Sequence, residues 1–264
     1  MVRTSFVEQD LETNYTIPGR NPATDQYLLS ATGQKINAES GQATTGKLQG
    51  AYITTISGWQ RTTSLNWLLE RYNLIDEPTA NAYLLMPSAQ WTKSSSNNTT
   101  NPTRGYLLSF LVQGAFNRLA SSTTFLQTRV DAKWLRSLTR NQRIVLRGSL
   151  GWTGINNIND LPYTLQYFVG GTNSVRGYQY RQFLGRNLTI GSVELQQRVV
   201  GNWYVVGFYD AGSIGNSFFG PWIRGVGPGV MWQSPVGAIE LTVGKALDSP
   251  GEPWMIQFSM GPEI

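Results

Sequence analysis

Alternation of polar and apolar residues is the feature that most constrains how this 264-residue chain can fold. From Ser192 to Val199, polar side chains occupy the even-numbered positions and mainly apolar ones the odd-numbered positions, with Gln197 as the exception. The same period recurs in 126–134, 143–152 and 239–243. Successive side chains of a β-strand point to opposite faces, so the period predicts strands with one polar and one apolar face. The chain is therefore expected to be all-β.

The alternating segments have the length and spacing of membrane-spanning strands. Each has about ten residues, close to what a tilted strand needs to cross a bilayer. Short turns such as 57–59 and 200–202 alternate with longer connections such as 73–79 and 154–187, which is typical of outer-membrane barrels. The prediction is an antiparallel transmembrane β-barrel. Thirteen strands are expected, at 5–17, 26–36, 43–56, 60–72, 80–93, 104–116, 123–135, 142–153, 188–199, 203–212, 223–233, 237–247 and 253–262.

The strands of a soluble β-sandwich also alternate polar and apolar residues, and composition is what favours a membrane barrel over a sandwich. Only 14% of the residues are charged, against about 25% in soluble domains. Full charges lie in the middle of the polar faces and large aromatics at the ends of the apolar ones, as in a wet lumen with an aromatic girdle. Leu195, Leu241 and Phe258 are thus expected to contact lipid. Their neighbours Glu194, Glu240 and Gln257 are expected to contact water.

The absence of two residue types excludes most catalytic sites. Without Cys there is no disulfide, thiolate zinc site or cysteine nucleophile, and without His there is no Ser-His-Asp triad or His-ligated metal. A carboxylate-pair hydrolase survives this exclusion, but no close Asp/Glu pair stands out in a polar turn. We therefore expect no enzyme, no cofactor and no metal site. The Lys and Arg residues are scattered, so no nucleic-acid partner is expected either.

The longest predicted connection, 154–187, is rich in Gly yet carries apolar and aromatic residues such as Phe168, Val175 and Tyr178. A purely solvated loop has no use for them, so this loop is expected to pack inside the barrel. Arg176 at its tip would then need an acidic partner. The alternative is that Arg176 is an ordinary surface residue of a loop.

A candidate partner lies on a later strand. Phe208, Asp210 and Gly212 share one strand face by the period of two. Asp210 cannot face lipid at low cost, so this face is expected to be the luminal one. The alternative is that Asp210 is a turn residue at a strand end.

These residues resemble two signatures of one superfamily. The stretch 168–178, with Val175, Arg176, Gly177 and Tyr178, is similar to the sixth extracellular loop of the outer-membrane protein-assembly and two-partner-secretion transporters. The stretch 208–212 is similar to their F-x-D-x-G strand. Asn-Pro-Thr-Arg-Gly at 101–105 resembles the opening of one of their barrel strands. The stretches 57–61, 232–237 and 260–264 resemble the TamA branch, the outer-membrane subunit of the translocation and assembly module.

The resemblance implies a fold and a function. The family barrel has sixteen strands, so 1–264 is expected to be one barrel domain without its first strands and without the upstream POTRA domains. Arg176 is expected to pair with Asp210 in the lumen. The implied activity is cofactor-free folding and insertion of unfolded outer-membrane proteins, such as autotransporters, into the outer membrane of a Gram-negative bacterium. The implied partners are membrane lipid, these substrates and a TamB-type periplasm-spanning subunit.

Two other functions remain open at this stage. A two-partner-secretion transporter shares both signatures but exports a polypeptide through its lumen. A passive porin would have no need of the Val175–Tyr178 motif.

The last segment, 253–262, is interpreted as a lateral seam formed by Phe258, Gly261 and Pro262. Gly261 is flexible and Pro262 lacks a backbone N–H, so the strand ladder is expected to fail near them. Such an edge can open sideways or pair with an incoming strand; ordinary fraying of the terminus is the alternative. With thirteen strands, 5–17 and 253–262 run in the same direction, so an unclosed seam is expected.

Overall fold

A computed structural model describes residues 2–4, 7–98, 101–235 and 237–261. Short 3₁₀ turns lie at Ile158–Asp160 and Tyr163–Leu165. The strands are β1 (Val2–Thr4), β2 (Glu8–Pro18), β3 (Asp25–Ala38), β4 (Gly41–Ile56), β5 (Trp59–Leu74), β6 (Ala80–Ser96), β7 (Arg104–Ala115), β8 (Phe125–Ser137), β9 (Gln142–Gly154), β10 (Tyr167–Val169), β11 (Phe183–Gly185), β12 (Asn187–Val200), β13 (Trp203–Gly215), β14 (Trp222–Ser234), β15 (Gly237–Ala246) and β16 (Trp254–Gly261).

The strands form an antiparallel meander, which confirms the predicted all-β fold. One 14-stranded sheet runs from β1 to β9 and then from β12 to β16, each strand bonded to the next, while β10 and β11 pair separately. The thirteen long strands of that sheet match the thirteen predicted segments. Within the described ranges, no helix is long and apolar enough to cross a membrane.

The N-terminal segment differs from the prediction of one strand over 5–17. The short strand β1 pairs antiparallel with β2, Arg3 opposite Asp10, so the chain reverses before Glu8. Gly and Pro, the residues that most often mark a reversal, are both missing from this stretch. The alternation alone therefore gave no sign of the turn.

Contacts group the chain into two compact units. The first comprises 1–93, 109–129 and 151–167, and the second comprises 94–108, 130–150 and 168–264. In the first unit, an apolar cluster lies on the inner face of the sheet, made of Leu68, Leu84, Met86, Ala115, Phe125, Ile155 and Leu161. In the second unit, a smaller cluster is formed by Tyr204, Val206 and Met231.

The two sheet faces differ as the alternation predicts. In the second unit, Leu195, Leu241 and Phe258 are 54%, 50% and 61% exposed. Their neighbours Glu194 and Gln257 are on the opposite face, but they are buried rather than open to water. The expected water contact is wrong for these two because residues 168–186 cover that face.

The ladder of β16 is described as far as Gly261, so its expected failure near Gly261 and Pro262 stays a prediction. Gly261 pairs with Ala238, and pairing is regular from Trp254 onward. Pro262 lies outside the described residues. β16 is the last strand in the sheet order, with β15 as its neighbour.

The opposite orientations of the two faces can be tested with single cysteines, which have no native background in this Cys-free chain. In the folded protein in lipid vesicles, cysteines at Leu195, Leu241 and Phe258 should resist a water-soluble maleimide because these positions face hydrocarbon. A cysteine at Lys47, which lines a polar cavity of about 410 Å³ in the first unit, should react. Rapid labelling of the three outward positions would instead indicate a soluble sandwich.

Candidate functional site

The tip of the connection between β9 and β12 has a backbone that only Gly adopts easily. Gly170, Gly171 and Gly177 have φ values of 114°, 101° and 93°, in the region that L side chains rarely enter. The amide of Gly171 donates to the carbonyl of Tyr178 at 3.2 Å, and the amide of Gly170 donates to Ser174 Oγ at 3.2 Å. The tip is therefore a compact hairpin that closes on itself.

Glycines on the sheet let this tip lie directly against the strands. A Cβ placed on Gly225 would be 1.9 Å from the carbonyl oxygen of Arg176, and one on Gly244 would be 2.5 Å from the amide nitrogen of Gly177. A Cβ on Gly212 would lie 2.8 Å from Val175. Gly inside a strand often marks such a close backbone approach. These glycines therefore form the surface on which the Val175–Tyr178 motif is seated.

Arg176 contacts three carboxylates in this seat. Its side chain is 3% exposed, and its Nε and Nη2 donate to Asp210 Oδ2 and Oδ1 at 2.8 Å and 3.0 Å. Its Nη1 donates to Glu194 at 2.5 Å and to Glu240 at 3.1 Å. The ring centroid of Phe208 lies 3.6 Å from the guanidinium carbon. The ion pair expected between Arg176 and Asp210 is present, and two further carboxylates share the same cation.

Asp210 is fully buried, and every contact it makes stabilises its negative charge. It accepts hydrogen bonds from the Arg176 amide at 3.1 Å and from Ser192 Oγ at 2.6 Å. A second cation, Arg147, lies 3.9 Å away and donates to the same Ser192 hydroxyl. Both carboxylate oxygens of Asp210 therefore have hydrogen-bond donors inside the sheet.

The electrostatics of the cluster are dominated by Arg176. Burial by itself lowers the pKa of the Arg176 guanidinium, but the hydrogen bonds and charges of Asp210 and Glu194 raise it above its ordinary value. Arg176 therefore stays cationic while it is enclosed. Without it, three carboxylates would face one another with no guanidinium among them, and the partly exposed Arg147 would be 3.9 Å from Asp210.

The motif is also tied to the last strand. The amide of Gly177 donates to Gln257 Oε1 at 3.0 Å, and Gln257 Nε2 donates to the carbonyl of Tyr178 at 3.0 Å. The hydroxyl of Tyr178 donates to the Arg224 carbonyl at 3.1 Å and accepts from the Asp248 amide at 3.0 Å. The loop tip thus bridges β14, β16 and the turn that joins β15 to β16.

The structure brings together seven of the ten residues that the sequence singled out. Val175, Arg176, Gly177 and Tyr178 meet Phe208, Asp210 and Gly212 in one buried cluster. The three seam residues lie elsewhere: Phe258 points away from the loop, Gly261 ends the described ladder, and Pro262 is outside the described residues.

Sequence reasoning missed six residues that contact the motif or its partner strand. Glu194 lies opposite Phe208 and Ser192 lies opposite Asp210 in the β12–β13 hairpin, so counting back from the tight turn at Gly201 would have found both. No local signal marks the other four, because they meet the loop only through the tertiary fold. The missed residues are Ser192, Glu194, Glu240, Gln257, Gly225 and Gly244.

The first part of the same connection, residues 155–167, has its own anchor in the first unit. Glu70 accepts hydrogen bonds from the Thr164 amide at 3.2 Å, from the Thr164 hydroxyl and from Thr45. The hydroxyl of Tyr72 donates to the carbonyl of Asn159 at 2.8 Å. This stretch is therefore held independently of the Arg176 cluster.

The four-member cluster predicts an asymmetric response to mutation. Arg176→Ala should cost about 3–5 kcal/mol, because it leaves buried carboxylates without their cation. Asp210→Ala should cost less, since Arg176 keeps Glu194 and Glu240. Faster hydrogen exchange of the backbone amides in 168–186 would measure the lost stability of the loop in each variant. Equal costs for the two single variants would show that Asp210 alone is the partner that matters.

A glycine substitution tests the seat itself. Gly225→Ala should displace the loop tip, because the new methyl group would fall on the Arg176 carbonyl. Gly207→Ala is the matched control on β13, where a Cβ meets nothing within 4 Å. Protease cleavage within 168–186 should increase for the first variant and stay at the wild-type rate for the second. The same cleavage rate in both would contradict the close backbone approach.

Comparison with known proteins places this fold in a family. The model of the Omp85 superfamily domain matches residues 8–264. Among solved structures, BamA from Haemophilus ducreyi lacking POTRA domains 1–3 superposes with a TM-score of 0.80 at 14% identity. CdiB from Acinetobacter baumannii and CdiB from Escherichia coli each give a TM-score of 0.53, at 13% and 14% identity.

The matches cover nearly all of this chain but only part of each of those proteins. The match with BamA covers 96% of this chain and 61% of the BamA chain. The match with CdiB from Acinetobacter baumannii covers 96% of this chain and 58% of that CdiB. The match with CdiB from Escherichia coli covers 95% of this chain and 58% of that CdiB. The family match extends over almost the whole sequence and includes both signature stretches. The chain therefore belongs to the Omp85 superfamily and resides in the outer membrane of a Gram-negative bacterium.

Proposed function

We propose that this chain is the barrel of a TamA-type factor that folds and inserts other proteins, such as autotransporters, into the outer membrane. The observation that carries the proposal is the position of β16 at the end of the described sheet, with a neighbouring strand on one side. This strand is bonded to β15 along one edge and ends the sheet order of the described residues. An edge with unpaired N–H and C=O groups is a template for another strand.

The side chains of β16 suit a substrate strand that is entering lipid. Its outward residues Trp254, Ile256, Phe258 and Met260 are 61–72% exposed and apolar. A substrate strand paired beside them would extend the same apolar surface. Phe258 and Gly261 thus belong to a seam at which backbone pairing and lipid exposure occur together.

The Val175–Tyr178 motif supports the proposal by holding the edge in place. Gln257 of β16 accepts a hydrogen bond from the Gly177 amide and donates one to the Tyr178 carbonyl, and Arg176 next to them is fixed by three carboxylates. The strand can therefore stay ordered although its outer edge has no partner strand within the described ranges. Backbone pairing needs no cofactor, and a TamB-type periplasm-spanning subunit would deliver the substrate.

Site-specific crosslinking tests the proposal. In outer-membrane vesicles, Met260→Cys on β16 should form disulfides with a cysteine in the C-terminal strand of an unfolded autotransporter barrel. Val205→Cys is the control, because it is exposed on the same apolar face as Met260 but lies on β13, which is paired on both sides. Crosslinks at Met260 with none at Val205 are expected.

Two other results would contradict insertion at the seam. Crosslinks mainly at Lys47→Cys, on the polar face of β4, would indicate export through the lumen by a two-partner-secretion transporter. No crosslink at any position, with a steady large conductance in a planar bilayer, would indicate a porin.

A further inference from the structure

Two cationic side chains line one cavity at an end of the first unit. Lys35 on β3 and Arg71 on β5 flank Thr44 of β4 in the register of the sheet, which puts their backbones about 10 Å apart. Both are exposed on the outward face, and neither has an ion-pair partner among the described residues. They share a cavity of about 320 Å³. Two long cationic side chains can converge there on one anionic group.

Neutral polar groups line the same cavity. Asn37, Gln42 and Thr79 contribute two amides and a hydroxyl. Amide and hydroxyl groups both donate and accept hydrogen bonds. They therefore suit the hydroxyl groups of a sugar, which also donate and accept, better than they suit a phosphate, which mainly accepts. The cavity therefore combines the recognition groups for a phosphorylated sugar.

An apolar groove begins one step further along the same strands. It has a volume of about 470 Å³ and is lined mainly by apolar side chains, among them Tyr15, Leu29, Leu48, Leu65 and Trp67. Leu48 is four residues from Thr44, or about 13 Å along β4. The groove thus lies on the outward face, below the two cations.

Glycines leave an open path from the cavity to the groove. Gly33 and Gly46 face each other across β3 and β4, midway between Thr44 and Leu48. A Cβ on either would meet nothing within 4 Å. The sheet surface is bare there, and an acyl chain could lie on it without displacing any side chain.

The site lies at the end of β5 where residues 155–167 dock. Tyr72, next to Arg71, bonds to Asn159 of that stretch. The alternation of short turns and long loops predicts that this connection is extracellular. In that orientation the two cations lie at the headgroup level of the outer leaflet.

We propose that this face binds a phosphorylated glycolipid of the outer leaflet. A phosphate of its headgroup contacts Lys35 and Arg71, its sugar contacts Asn37, Gln42 and Thr79, and one acyl chain runs past Gly46 into the groove beside Trp67. Arg and Lys bind phosphate through charge-assisted hydrogen bonds. The apolar groove shields the chain from contact with neighbouring lipids.

The test measures which lipid stays bound after mild detergent extraction, by native mass spectrometry. The full chain is reconstituted in phosphatidylcholine nanodiscs that contain diphosphorylated lipid A, dephosphorylated lipid A or phosphatidylglycerol. Wild type should retain the diphosphorylated lipid A about tenfold better than either other lipid, the change expected for one charge-assisted hydrogen bond. Equal retention of phosphatidylglycerol would overturn the assignment to a glycolipid.

Matched variants connect the retained lipid to this site. Lys35→Gln with Arg71→Gln should lose the lipid A adduct, whereas Arg61→Gln should keep it. Arg61 is exposed on the same face of β5, ten residues away, or about 33 Å. Unchanged retention in the double variant would overturn the proposal.

A separate pair tests the acyl path. Gly46→Leu should reduce retention by filling the path, and Gly191→Leu, on an equally open outward position of β12, should not. Equal retention in these two would place the acyl chain elsewhere and overturn the groove assignment. Heat-modifiable migration on gels confirms that each variant is folded, so a lost adduct reports binding.

Discussion

A single buried guanidinium organises the second unit of this protein. Arg176 is enclosed with Asp210, Glu194 and Glu240, which come from three different strands. Taking one cation and three carboxylates out of water is costly unless each is hydrogen-bonded by another. The cluster therefore forms only when the loop tip and all three strands are correctly placed. The cluster therefore makes the correct arrangement of the strands specific more than it stabilises the sheet.

The Arg176 cluster relates the signature motifs to the seam. The charged residues fix the loop tip, the loop tip contacts Gln257, and Gln257 lies in the middle of β16. An insertion factor of the proposed kind has to keep an edge strand ordered without blocking the edge at which a substrate would pair. Holding the strand from its polar face meets both requirements, because the contacts lie at right angles to the hydrogen bonds that a substrate strand would use.

Much of the fold was predictable because the period of two is a local property. The thirteen long strands and the faces of residues such as Leu195 and Asp210 follow from it, and the pairing of Arg176 with Asp210 followed from the family resemblance. The reversal between β1 and β2 was missed because the stretch lacks the usual turn residues. The burial of Glu194 and Gln257 was missed because an alternation pattern cannot show that a loop returns to cover a polar face. Glu240 and Gly244 are far from the motif in sequence, so only the register of β14 and β15 reveals them.

The glycine seat has a mechanical consequence for the sheet. Sliding β15 past its neighbours by two residues would keep every side chain on its own face, so the hydrophobic pattern alone does not prevent it. Such a slip would carry Thr242 or Ala246 to the place of Gly244, directly beneath the backbone of Gly177. Their side chains cannot fit there. The loop tip thus permits one alignment of the last strands and resists their sliding past one another.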